Sequence, residues 1–130
     1  MLKHIYVQTY IYYMNMTPEI LLKSLSDQTR LRCLMLLVQE GELCVCELTH
    51  ALGVIQPKIS RHLASLRDMQ VVIDQRAGQW IYYCLNPRLP DWATAILNAT
   101  LEGMKLEKQF KDDLKKLHNM PNRPENKICA

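Results

Sequence analysis

The chain has 130 residues, of which 48% are hydrophobic and 22% are charged, and this is the size and composition of one globular domain. The formal net charge of +3 is too small for a histone-like polycation, and the composition is too apolar for a disordered chain. No apolar run reaches the roughly 18 residues that would span a bilayer. The five Cys are an odd number and too sparse for a disulfide-stapled fold. We therefore expect a cytoplasmic protein without a membrane partner, in which Cys serves as a ligand or a sensor.

The first segment, residues 1–15, differs from the rest of the chain. It holds four of the six Tyr and shows no helical spacing of apolar residues. A helix-start signal follows at Thr17, with Pro18 in the first turn. We expect a flexible, non-essential extension over 1–15 and the functional domain over 16–104. The remaining residues, 105–130, are predicted to continue the last helix and to end in a disordered tail.

The middle of the chain alternates helical segments with one hairpin. Apolar residues at a spacing of three and four predict a first helix from Pro18 and a second from Asp27 to Gly41. A short helix over 47–52 and a longer one over 57–69 follow, separated by a three-residue turn after Gly53. The period then changes, because residues 71–74 and 79–85 are rich in β-branched and aromatic side chains. These two segments, with Gly78 between them, predict a β-hairpin.

The last predicted helix begins near Asp91 and keeps apolar residues at a 3–4 spacing for more than six turns, as far as Leu117. A small domain cannot cover so long a stripe by itself, so we expect the helix to pack against a second copy of the chain. The alternative is a helix that folds back on its own domain.

This order of elements, mainly α with a small β-hairpin, is that of a winged helix-turn-helix. In that motif the second helix enters the major groove of DNA and its first turns meet base edges. The charge agrees, because residues 57–88 carry an excess of +3 whereas residues 17–56 carry −2. The alternative is a plain amphipathic surface helix. The candidate DNA contacts are Gln56, Lys58, Ser60, Arg61, His62, Ser65 and Arg67 on the helix, and Arg76 and Gln79 on the wing.

A pair of thiols, Cys44 and Cys46, stands at the entry to the first helix of that motif. Thiolates are soft ligands that favour thiophilic ions. On a regular helix two positions two residues apart point about 200° away from each other, so one ion could bind both sulfurs only if the turn unwound. In an extended or frayed segment, a small backbone adjustment could bring the two sulfurs together. We therefore expect that a bound ion distorts the helix that supports the recognition helix and thereby releases DNA. The alternative is that both Cys are small core residues.

The other three Cys have different surroundings. Cys33 lies in an apolar helical stretch and is expected in the core. Cys84 lies on the second wing strand and is expected to be structural, whereas Cys129 lies in the predicted tail.

The sequence resembles the ArsR/SmtB family of bacterial metal-responsive repressors, and specifically its arsenic-responsive branch. The resemblance covers roughly residues 18 to 100 and rests on the stretches LLKSLSDQTRLRCLMLL, ELCVCELTHALG, QPKISRHLASLRD and GQWIYYCLNP. It implies a homodimeric winged helix-turn-helix repressor that dimerises through its N- and C-terminal helices and binds a two-fold symmetric double-stranded operator. It also implies release from DNA when trivalent arsenic or antimony, as arsenite or antimonite, binds Cys44 and Cys46. No cofactor is required apart from this inducer.

Two departures from the family patterns bear on the ligand. The arsenic-responsive branch often has a third Cys three residues after the second, where this chain has Thr49. We favour two protein thiols with an outside thiol or hydroxide as the third ligand, and Cys129 or Cys33 remain alternatives. Zinc-sensing relatives carry His on the last helix, and this helix has none before His118, so a zinc sensor is not expected.

Three other functions are weighed against arsenic sensing. A redox or reactive-sulfur switch could use the same two thiols, although a direct bridge between residues two apart would be strained. An enzyme is not expected, because no phosphate loop, Ser/His/Asp grouping or metal–water site is recognisable. A pure dimerisation module would leave the basic helix and the thiol pair without a purpose.

Overall fold

The computed structural model describes residues 15–124, which form six helices and three strands. In chain order these elements are α1 (Pro18–Ser24), α2 (Gln28–Glu40), β1 (Glu42–Cys44), α3 (Val45–Leu52), α4 (Gln56–Asp68), β2 (Val72–Ala77), β3 (Trp80–Leu85), α5 (Asp91–Met104) and α6 (Lys108–His118). The predicted extension over 1–15 lies outside the described residues except for Asn15.

The ends of the first two helices follow from capping chemistry. The Thr17 side chain accepts a hydrogen bond from the Ile20 amide at 3.2 Å, and the Asp27 carboxylate accepts one from the Arg30 amide at 3.0 Å. Each bond satisfies one of the amide groups that a helix start leaves without a partner. Gly41 ends α2 with a φ of 91°, a conformation that favours glycine. The predicted starts of α1 and α2 are therefore confirmed.

The sheet is antiparallel with the strand order β1-β3-β2. Strands β2 and β3 form the predicted hairpin, with Val72 opposite Leu85 and Ala77 opposite Trp80, and Gly78 with a φ of 62° makes the turn. Strand β1 was not predicted. Its three residues pair with the other side of β3, where Cys44 lies opposite Tyr82. The thiol segment is thereby joined to the wing.

One apolar core holds the helices together. Leu34 and Leu37 of α2, Leu48 of α3 and Leu63 of α4 are fully buried in it, together with Leu97 of α5. The short helix α3 is therefore packed against the same core as the recognition helix.

The prediction of one long final helix is wrong. Helix α5 ends at Met104, and α6 begins at Lys108 after Glu107, whose backbone is extended with a φ of −86° and a ψ of 136°. Leu106, which was counted on the continuous stripe, lies in this break and is 78% exposed. Gly103, a weak helix former, lies just before the break. The apolar spacing is the same on both helices, so it did not show the interruption.

Helix α6 folds back on its own chain, against α2 and α3, as the alternative interpretation of the last helix proposed. Phe110 and Leu117 enter the core. The buried carboxylate of Asp113 accepts two hydrogen bonds from the Arg32 guanidinium, at 2.8 and 2.9 Å. Arg32 also donates to the carbonyl of Leu52, the last residue of α3. This network fixes α6 to the helix that follows the thiol pair.

The predicted disorder after Met120 is wrong for residues 121–124. Arg123 in this segment donates hydrogen bonds to the carboxylates of Glu40 and Glu47. The rest of the predicted tail, including Cys129, lies outside the described residues. No helix in residues 15–124 is both long enough and apolar enough to cross a bilayer.

Candidate functional site: a thiol pair beside the DNA-reading elements

Helices α3 and α4 form the helix-turn-helix. Gly53 ends α3 in the left-handed conformation with a φ of 67°, and the turn Gly53-Val54-Ile55 leads into α4. Pro57 occupies the first turn of α4, where its missing amide hydrogen costs nothing. Ile59, Leu63 and Leu66 of α4 are buried, so the opposite face of the helix is turned to solvent.

The predicted DNA contacts divide by exposure. Exposed side chains on α4 and the wing are Gln56, Lys58, Arg61, Arg67, Arg76 and Gln79, and Ser60, His62 and Ser65 are partly buried. No acidic residue lies in the first turn of α4. Apart from Arg67, which lies in the last turn of α4, the exposed members of the set therefore form a basic and amide-bearing surface over the first half of α4 and the tip of the hairpin.

Two members of the set have partners within the protein. Arg67 donates to the Asp74 carboxylate at 3.1 Å and so joins α4 to β2. His62 lies 3.7 Å from the Asp27 carboxylate at the start of α2. Burial lowers the pKa of His62, although the charge of Asp27 opposes this shift. Both side chains hold the recognition helix in place, in addition to the DNA contact predicted for each.

The thiol pair lies where β1 ends and α3 begins. Cys44 is the N-cap of α3, with an extended backbone (φ −87°, ψ 163°), whereas Cys46 is inside the first turn. The Cα atoms are 5.4 Å apart and the two sulfurs are joined as a disulfide. Because Cys44 is not helical, the sulfurs meet while α3 remains intact from Val45 onward. The pair therefore has the extended arrangement at Cys44 and does not lie on a regular helix, and distortion of α3 by a bound ion stays a prediction.

A buried carboxylate supports this arrangement. Glu47, which has no exposed side-chain surface, accepts a hydrogen bond from the Cys44 amide at 2.8 Å and completes a capping box at the start of α3. Its other carboxylate oxygen accepts a hydrogen bond from Arg123. Burial would lower the pKa of Arg123, but the hydrogen bond and charge of Glu47, with those of Glu40, raise it. The C-terminal segment thus neutralises the charge beneath the thiol pair.

A cleft of about 200 Å³ connects the thiols to the DNA-reading elements. One wall is formed by the segment Cys44 to Cys46, another by Gln56 and Ser60 of α4, and the third by Gln79 to Ile81 of the wing. A ligand held by the two sulfurs in this cleft would touch both elements that are predicted to contact DNA.

Among the residues that the structure describes, no third ligand lies with the thiol pair. Within residues 15–124, no group of three His, Cys, Asp or Glu side chains is arranged to hold a metal ion. Cys33 is fully buried in the core as predicted, and burial raises its pKa to about 12. Cys84 is also buried. Thr49 and Cys46 line a second pocket, and the Thr49 hydroxyl has no hydrogen-bond partner among the described residues.

Sequence reasoning missed three residues that shape the site. Glu47 had a signal, since it stands three residues after Cys44, at the spacing of a capping box. Trp80 was assigned to the hairpin but not to the wall of a cleft. Arg123 gave no signal, because it contacts Glu47 from 76 residues away in sequence.

Comparison with known proteins matches these features to bacterial regulators. The model of the family described as "Bacterial regulatory protein, arsR family" matches residues 27–74, which include the thiol pair, α4 and the first residues of the wing. The arsenic resistance transcriptional regulator ArsR1 of Pseudomonas putida is 47% identical over 116 residues, which cover 88% of this chain and 89% of that protein. The arsenical resistance operon repressor of Escherichia coli is 49% identical over 81 residues, covering 62% of this chain and 69% of that protein.

Solved structures agree with the fold. The AntR antimony-specific transcriptional repressor is similar at a TM-score of 0.57 and 30% identity, over 69% of this chain and 78% of that one. The transcriptional repressor BigR from Xylella fastidiosa is similar at a TM-score of 0.56 and 34% identity, over 68% of this chain and 84% of that one. The predicted winged helix-turn-helix is thereby confirmed.

Proposed function

Because the chain belongs to the arsR family of bacterial regulatory proteins, we propose that it represses arsenical-resistance genes as a homodimer and leaves its operator when trivalent arsenic binds Cys44 and Cys46. Its relatives are named as transcriptional regulators and repressors, so the chain is a regulator and not an enzyme. Arsenite is the ligand that these names suggest, and the similarity to the AntR antimony-specific repressor suggests antimonite as a second inducer. A bacterial repressor that binds operator DNA works in the cytoplasm, and this is the location that the proposal implies.

The cleft that joins the thiol pair to α4 and the wing carries the proposal. An inducer bound to both sulfurs lies against Gln56 and Ser60 on one side and against Trp80 on the other. Strand β1 is paired with β3, and α4 forms another wall of the same cleft, so a displacement of the sulfurs on arsenic binding acts on the wing and on α4 together. Movement of α4 relative to the wing changes the spacing of the groups that contact DNA, and this lowers operator affinity.

The binding chemistry needs only the reduced thiols. Arsenite carries three hydroxyl groups on arsenic, and each sulfur that binds replaces one of them, so that two As–S bonds form and two water molecules leave. The third position keeps a hydroxide or takes an outside thiol. Cys33 is a poor candidate for it, because its side chain is fully buried in the core and does not line the cleft beside the thiol pair. Cys129 remains the alternative from within the chain.

We assign the contacts with DNA to those residues of the predicted set whose side chains are exposed. Gln56 and Arg61 carry the side chains that make bidentate contacts with A and G, and both are exposed at the start of α4. We assign Lys58 and Arg76, which are also exposed, to contacts with phosphates. The partly buried Ser60, His62 and Ser65 are assigned to supporting contacts.

Two helices offer apolar surface for a homodimer. Leu22 on α1 is 55% exposed and Trp92 on α5 is 37% exposed, although both side chains are large and apolar. A second copy that covered α1 and α5 would remove this surface from water and would align two recognition helices on one two-fold operator.

A redox switch is the second candidate, and the pairing of Cys44 with Cys46 as a disulfide favours it. In this alternative an oxidant takes two electrons and two protons from the thiols as the S–S bond forms, and DNA is released without arsenic. The DNA-reading surface would be the same.

One experiment separates the two candidates. Operator fragments mapped by footprinting are bound to the protein under strict anaerobic reduction and titrated with arsenite, antimonite or zinc, and in a parallel series with peroxide. Release by arsenite in the absence of oxidant supports the proposal. Release by peroxide alone, reversed by a dithiol, would instead establish the redox switch, and no operator binding at all would overturn both. A Cys129→Ser variant that responds to arsenite normally would leave the third position to an outside ligand.

A further inference from the structure

One exposed apolar side chain lies on the DNA-reading surface. The large hydrophobic residues exposed within the described part of the chain are Leu22, Ile55, Trp92 and Leu106. Only Ile55 lies in the helix-turn-helix, where it is 71% exposed. The folding of this chain does not explain why an Ile stands at this position, because a side chain that remains mostly exposed removes little apolar surface from water.

Helix capping does not account for Ile55 either. It is the N-cap of α4, and its carbonyl accepts hydrogen bonds from the amides of Lys58 and Ile59 at 3.1 and 3.2 Å. Its side chain gives no capping hydrogen bond, and Ile is among the poorest residues at this position. Ser, Thr, Asp or Asn would stabilise the helix start better. The side chain at this position is therefore suited to something outside the chain.

The charge around Ile55 indicates what that is. Gln56 follows directly, Lys58 and Arg61 are exposed on the next turns, and the first turn of α4 has no acidic residue. Basic side chains around a single apolar side chain suit a negatively charged polymer, such as DNA, that also exposes small apolar groups. In the major groove that group is the C5-methyl of thymine, the one apolar mark that the base edges present.

On the basis of the DNA binding proposed above, we infer that Ile55 contacts a thymine methyl in each half of the operator and so helps to determine which sequence is bound. Neighbouring Gln56 has the side chain that pairs with the N6 and N7 atoms of adenine. Together the two residues would contact the methyl group of thymine and the hydrogen-bonding N6 and N7 atoms of adenine in the major groove.

The test removes the apolar group first from the DNA and then from the protein. Thymines of the mapped operator are replaced one at a time by deoxyuridine, which lacks only the methyl group, and affinities are measured for the wild type and for Ile55→Ser. For the wild type we expect one position in each half-site to lose about fourfold, the factor that corresponds to burial of one methyl group. The Ile55→Ser variant should bind the intact operator more weakly and be insensitive to deoxyuridine at that same position.

Stability and a matched variant complete the design. Because Ser caps a helix better than Ile, Ile55→Ser should unfold at the same or a higher temperature, so weaker binding cannot be attributed to misfolding. Leu106→Ser, which alters an exposed apolar residue in the α5–α6 break, should bind every duplex as the wild type does. An Ile55→Ser variant with unchanged operator affinity, or one that keeps the full deoxyuridine sensitivity, would overturn the assignment of Ile55. A wild type that bound no operator would overturn the proposed function as well.

Discussion

At the scale of single residues, the thiol pair depends on a buried carboxylate that itself needs a cation. One carboxylate oxygen of Glu47 accepts a hydrogen bond from the Cys44 amide, and the other accepts one from the Arg123 guanidinium. A buried carboxylate is costly unless it is paired, so Arg123 offsets the cost of placing Glu47 under the thiols. Capping-box spacing could indicate Glu47 from the sequence, whereas the cation arrives from a segment whose composition suggested disorder.

Removal of Arg123 should destabilise the fold. We expect Arg123→Ala to lower the free energy of unfolding by about 1–3 kcal/mol, because Glu47 loses its charged partner while it remains buried. Urea denaturation measures this loss. In a Glu47→Gln background, which keeps the cap on Cys44 and removes the charge, the same substitution should cost clearly less. An equal loss in both backgrounds would show that Glu47 and Arg123 are not coupled.

His62 should make the stability sensitive to pH. Burial lowers the pKa of His62 in the folded state below its ordinary value of 6.5, although Asp27 opposes the shift. The unfolded chain then binds the proton more readily, so stability is full above that ordinary value and declines as the pH falls through the folded pKa. Denaturant midpoints over this range, compared between the wild type and His62→Gln, measure the effect. The variant should show a flatter profile, and a decline as steep as that of the wild type would contradict the assignment.

At the scale of elements, the sequence predicted what local signals determine. Thr17, Asp27 and Gly41 mark helix ends through caps and backbone conformation, and Gly78 marks the hairpin turn, so these boundaries could be found. Strand β1 could not, because three residues show no alternation and their pairing with β3 spans about forty residues of chain. The break after Met104 was also hidden, since the apolar spacing of α5 and α6 suits one helix or two.

Because α6 packs on its own domain, substitutions in its core-facing side should affect the stability of the monomer and not the association of two copies. Phe110 is buried in the core, so Phe110→Ala should cost about 3–5 kcal/mol of unfolding free energy. The dissociation constant of the dimer, measured by sedimentation, should stay close to that of the wild type. Leu106→Ala in the exposed break should leave stability within about 0.5 kcal/mol. A Phe110→Ala variant that loses dimerisation rather than stability would place α6 at the interface between copies.

At the scale of the whole molecule, the modest net charge conceals an uneven distribution. The +3 of the chain includes an excess of +3 over residues 57–88, which form most of α4 and the wing, and a deficit of −2 over residues 17–56. The basic part faces solvent beside the cleft that holds the thiol pair. The proposed sensing site and the proposed DNA-reading surface therefore share one side of the molecule, and α3 belongs to both.

The location of the candidate site could be predicted from the sequence more fully than its construction. Cys44 and Cys46 are a local pattern before a recognisable helix-turn-helix, so their place was evident. That Cys44 stays outside the helix follows from its pairing with Tyr82, a contact between distant parts of the chain. The walls contributed by Gln79 and Trp80 depend on the same long-range pairing, which periodicity and propensity do not encode.

The central claim is that Cys44 and Cys46 together convert arsenite binding into loss of DNA. Fluorescence anisotropy of a labelled operator, recorded under strict reduction while arsenite is added, tests it most directly. The wild type and Cys33→Ala, which removes a buried thiol away from the cleft, should both release the operator. Cys44→Ser and Cys46→Ser should bind the operator as well as the wild type and remain bound at arsenite concentrations that release it. Release of either Ser variant at the wild-type arsenite concentration would contradict the account.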